Sequence, residues 1–155
     1  MELLKSIVID FVLFSSIEGF IFCLFFEKIG GCRKFKWYEW LILSIGNCLI
    51  SQLLPPTLYQ FVCVLWMSVF LYIVSVGEIT KCMKLSALSV LYFFIYEVIY
   101  SVVLLYGLNF ESLVKNLPLQ EQIKLFILII PLRLIEIFSI LLYNKLKNNK
   151  EIQYL

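Results

Sequence analysis

Residues 57–76 read TLYQFVCVLWMSVFLYIVSV, a run without a single charged side chain. A helix of about 20 residues rises roughly 30 Å, which matches the hydrocarbon core of a bilayer. The run does not alternate polar and apolar residues as a barrel strand must. In lipid the backbone has to satisfy its own hydrogen bonds, so this stretch predicts a transmembrane α-helix.

Immediately before the run stand Pro55 and Pro56, which cannot continue a helix from the residues preceding them. The apolar run 37–54 therefore predicts a second helix, folded against the first as a tight hairpin. Runs 3–26, 85–106 and 123–143 have the same length and character. The expected fold is all-α: a polytopic bundle of about five transmembrane helices over 1–143, then a short basic cytoplasmic tail over 144–155. Composition agrees. The chain has 155 residues, 62% hydrophobic and 15% charged, whereas soluble domains carry about 25% charged residues. So small a globule with so few polar side chains would not cover its surface in water. Asp10 and Glu18 interrupt the first run, and no small-x-small cleavage site follows it. It is expected to be a retained span rather than a cleaved signal peptide.

Basic residues set the expected orientation. Lys28, Arg33, Lys34, Lys36, Lys81, Lys84, Lys145, Lys147 and Lys150 fall on one side of a five-span bundle, and Lys5, Lys115 and Lys124 on the other. Nine against three places the N-terminus outside and the C-terminus in the cytoplasm. Trp37, Trp40 and Tyr143 would anchor the inner interface, Tyr59 and Tyr106 the outer one. In the outer loop, Phe110, Leu113, Val114 and Leu117 recur at helical spacing. They predict either a short amphipathic helix on the outer leaflet or a loop resting on lipid.

Ionisable groups inside spans are costly and are functional candidates. Here they are Asp10 and Glu18 in the first run, Glu97 in the fourth, and Arg133 and Glu136 in the fifth. Arg133 and Glu136 stand i, i+3 and can pair on one helix face; a pair between Arg133 and Glu97 is equally open. Four carboxylates against one arginine leave an excess that protonation, a cation or a polar ligand would have to meet. Gly19, Gly46, Ser15, Ser16, Ser44 and Ser51 are small enough to let helices approach closely.

The chain has no histidine. That excludes the histidine-dependent membrane enzymes: zinc proteases, rhomboid-type serine proteases and the cysteine peptidases that mature autoinducer peptides. Gly30-Gly31 lacks the Lys-Ser or Lys-Thr of a phosphate loop. A net charge of +2 without a basic stripe excludes nucleic acid as a partner. Cys23, Cys32, Cys48, Cys63 and Cys82 form no CxxC pair and read as structural thiols of a reduced compartment. No catalytic set, metal site or cofactor is expected.

Ile17-Glu18-Gly19-Phe20-Ile21 with the basic turn at Glu27-Lys28-Ile29, and Leu132-Arg133-Leu134-Ile135-Glu136 running into Tyr143-Asn144-Lys145-Leu146-Lys147, carry a resemblance. The chain resembles, over nearly its whole length, the membrane sensor region of accessory-gene-regulator-type receptor histidine kinases. The resemblance implies a bacterial cell membrane of the Gram-positive type, quorum sensing and a short hydrophobic peptide ligand. The chain reaches Leu155 without that family's phospho-acceptor histidine or ATP-binding boxes, so the resemblance implies a sensor acting through another membrane protein or a second copy of itself. Two other readings stay open: a small transporter or its substrate-binding subunit, with Glu18 and Glu97 carrying protons or a cationic substrate, and an accessory or immunity protein that binds another membrane protein.

Overall fold

The computed structural model describes residues 11–75, 77–107 and 121–153, and among them it has five α-helices and no strand. Helix α1 (Ser16–Lys28) is entered through a wide π-helical turn at Phe11–Ser15. It is followed by α2 (Trp37–Leu53), α3 (Pro56–Ser75), α4 (Ile79–Gly107) and α5 (Glu121–Gln153). Asp10 and the expected outer-loop stripe of Phe110, Leu113, Val114 and Leu117 lie outside the described residues.

Local chemistry explains the boundaries. Pro56 occupies the first position of α3, where a helix needs no N–H donor, and the Pro55 carbonyl accepts from Leu58 and Tyr59 at 3.0 and 3.1 Å. The carboxylate of Glu39 accepts the backbone N–H of Lys36 at 2.8 Å at the start of α2, where a negative charge favours the helix dipole. Helix α1 ends as Ile29 and Gly30 both donate to the Phe25 carbonyl. Polar residues do not end α5, which continues through the expected tail as far as Gln153. Pro131 lies inside it and withholds one backbone hydrogen bond, two residues before Arg133.

Helix α1 packs against α2, α4 and α5, while α3 packs between α2 and α4. Close approach of α1 and α2 depends on Gly19: a Cβ there would overlap the Ser44 side chain. The Trp40 indole donates to the Ser16 carbonyl at 2.7 Å and ties the same two helices. Gly46 makes the matching approach between α2 and α3, under the Trp66 ring. The core is aromatic at its centre, where Phe22 meets Phe93 edge to face at 4.4 Å and Phe25 meets Tyr92 at 5.1 Å.

Polarity is inverted relative to a water-soluble globule. Ser44, Asn47, Ser68, Ser86, Ser89, Arg133 and Glu136 are buried, while Phe61, Ile73, Ile99 and Phe138 point outward and are more than half exposed. Two helices carry stretches long and apolar enough to cross a membrane, Leu58–Ser75 in α3 and Ile79–Val103 in α4. The described part of α1 has 13 residues and α2 has 17.

Candidate functional site

Glu18, Glu97, Arg133 and Glu136 converge on one point. Arg133, on α5, is 8% exposed. Its Nη1 donates to both carboxylate oxygens of Glu136, one turn further along the same helix, at 3.1 and 3.0 Å. Its Nη2 donates to Oε1 of Glu18 on α1 and lies 3.5 Å from Oε1 of Glu97 on α4. One guanidinium thus ties carboxylates from three helices. Glu136 is fully buried, the Glu18 side chain is 24% exposed and that of Glu97 is 49% exposed.

The i, i+3 pair expected from the sequence is present, and so is the contact with Glu97. The tie to Glu18 is an addition that no helical spacing announces, because the two residues are 115 positions apart. Helix α1 can present Glu18 at this depth because it packs directly on α5.

A cavity of about 100 Å³ adjoins the cluster, lined by Glu18, Glu97 and Arg133 and, from α3, by Tyr59, Gln60 and Cys63. Aromatic and apolar side chains, among them Phe22, Met67 and Phe93, close its inner wall. Arg133 also lines a second space of about 110 Å³ with apolar walls, formed by Phe14 and Ile17 with Ile129, Ile130 and Ile137. A second link between α4 and α5 sits nearby, where the Tyr92 hydroxyl bonds with the Ser139 hydroxyl and lies 3.2 Å from the Glu136 carbonyl oxygen.

The basic loop between α1 and α2 is ordered by its own ion pair. Arg33 reaches Glu39 with both terminal nitrogens, at 2.5 and 3.1 Å. The hydrogen bonding to that carboxylate raises the pKa of Arg33 above its ordinary value. Glu27 accepts the backbone N–H of Phe35 at 2.7 Å and closes the loop from the other side. These carboxylates hold a turn together, and the Lys36 ammonium lies over the Tyr38 ring, 5.6 Å from its centroid.

Chemically, the central cluster can hold charge, exchange a proton or receive a cationic group. Among the described residues, no group of three or more Cys, Asp or Glu has an arrangement that could hold a metal ion. No family model matches the chain, and neither does any curated protein or solved structure.

Proposed function

We propose that the chain is a multi-pass protein of a bacterial cell membrane, a bundle of about five spans with the N-terminus outside and the C-terminus in the cytoplasm. Its work is sensing or regulation without catalysis: it takes a hydrophobic signal peptide between the outer parts of its helices and passes the change to a partner protein. The inverted polarity of the bundle supports the membrane setting, since exposed phenylalanines and isoleucines cost nothing in lipid. The observation that carries the sensing role is the three-helix tie at Arg133 beside a cavity. A ligand that contacts α1, α3 or α4 there changes how those helices pack, and it shifts the packing equilibrium by its difference in affinity for the two arrangements.

The test is purification of the full chain from native membranes in mild detergent, followed by thermal denaturation with and without the hydrophobic peptide fraction of spent culture medium. The expected result is a raised melting temperature for the wild type and a smaller shift for Glu18→Gln, with a signalling protein among the co-purifying chains. No shift with any fraction, together with a co-purifying ATPase, would sink this reading. The second reading, a small transporter, is favoured by the surplus of carboxylates over cations around a cavity to which the half-exposed Glu97 gives access.

A further inference from the structure

The two terminal nitrogens of Arg133 are used unequally. Nη1 serves Glu136 alone, through two bonds at 3.1 and 3.0 Å. Glu18 and Glu97 both address Nη2. One guanidinium thus faces three carboxylates, Glu136 on Nη1 and Glu18 and Glu97 on Nη2, and with all three ionised the formal charge of the cluster is −2. The other groups facing the cluster do not compensate it. Helix α3 contributes Tyr59, Gln60 and Cys63 to the cavity and α4 adds Tyr92 near Glu136; among the described residues, no lysine and no second arginine lines it. Two like charges held against one nitrogen repel, and the pair relaxes when one of its members carries a proton.

We propose that Glu18 and Glu97 form a proton-binding pair, holding one exchangeable proton between them at Arg133 Nη2, with the cavity at Glu97 as the route to water. This rests on the reading of the cluster as buried within a membrane bundle, and it deepens that reading by naming a proton as the ligand. Binding takes H⁺ from water in the cavity and lowers the formal charge of the cluster from −2 to −1; release returns it. The proton belongs to the pair rather than to either residue. With it bound, α1, α4 and α5 are held on one guanidinium. When it leaves, the contact of Glu97 yields first, since at 3.5 Å it is the longest of the three and its side chain is the most exposed. Helix α4 then loosens from α1 and α5, and the packing of the bundle becomes sensitive to pH.

The experiment is infrared spectroscopy of the purified full chain in lipid nanodiscs, with the glutamate carboxyls isotopically labelled, through a pH titration. The expected result is one glutamic acid carbonyl band that disappears as pH rises, present in the wild type and absent from both Glu18→Gln and Glu97→Gln. Thermal stability of the wild type should fall as pH rises through the same transition, because release of the proton frees the contact that joins α4 to α5 at Arg133. Glu97→Gln, which resembles the protonated carboxyl, should keep its stability across that range. A wild type with no acid band at any pH at which it stays folded would overturn the proposal. So would a band that survives in both variants, or a melting temperature that follows sodium or potassium at fixed pH, which would assign the site to an inorganic cation. Loss of the peptide response leaves these spectra unchanged, so failure of the sensing role and failure of the proton pair are separable.

Discussion

Replacing Arg133 by leucine takes away the cation on which Glu136, fully buried, spends both its oxygens. An uncompensated buried charge of this kind costs about 3–5 kcal/mol. Arg133→Leu should lower the thermal stability in detergent by that order, and the double variant Arg133→Leu/Glu136→Gln should recover part of the loss. Equal stability of the single and the double variant would mean that Glu136 holds no charge for Arg133 to balance. Glu18, Glu97, Arg133 and Glu136 are all legible in the sequence, because each is a charged residue inside an apolar run. Their assignment to one cluster is not. Helical spacing fixes the Arg133–Glu136 relation alone, while the contacts of Glu18 and Glu97 depend on which helices become neighbours, and no local pattern encodes that.

Between elements, Gly19 lets α1 approach α2 closely. A larger residue there must push α1 away from α2, since its Cβ would overlap the Ser44 side chain. Overpacking of this sort costs about 1–3 kcal/mol. Gly19→Val should destabilise the bundle by that amount, and Ser44→Gly in the same chain should restore part of it; melting curves of the wild type and these two variants decide. The element boundaries show what a sequence can announce. The junction of α2 and α3 falls where expected, to within a residue, because Pro55 and Pro56 stop one helix and start the next by removing donors. Helix α4 begins at Ile79 rather than at residue 85, and α5 runs on to Gln153 rather than to residue 143. At both places the sequence turns from apolar to polar. Hydropathy marks where lipid would end, whereas lysine and glutamate are good helix formers and carry the backbone past that line.

At the scale of the whole molecule, orientation is the property with the most direct test. Single cysteines placed at Lys34 and at Lys84 in a cysteine-free background should react with an impermeant maleimide only after cells are opened, and one at Lys115 should react on intact cells. Labelling of Lys34→Cys from outside would invert the bundle or change the number of spans. The native Cys32 is a poor reporter, since burial pushes its thiol pKa up and slows its reaction. The surface reads as it does because charge patterning and apolar runs are additive along a chain and survive in the sequence. The inside does not, because a cavity lined by residues of α1, α3, α4 and α5 exists only once those helices have met.

Helix α5 runs unbroken from Glu121 to Gln153. Gln153 lies 20 positions beyond Arg133, about 30 Å of rod at 1.5 Å per residue. Pro131 leaves the backbone one bond short just before that arm begins. The helix is thus a lever with its pivot beside the guanidinium: a tilt of about 10° there sweeps the far tip sideways by about 5 Å, by the geometry of a rod of that length. A displacement too slight to notice among the carboxylates is magnified along the arm to its tip.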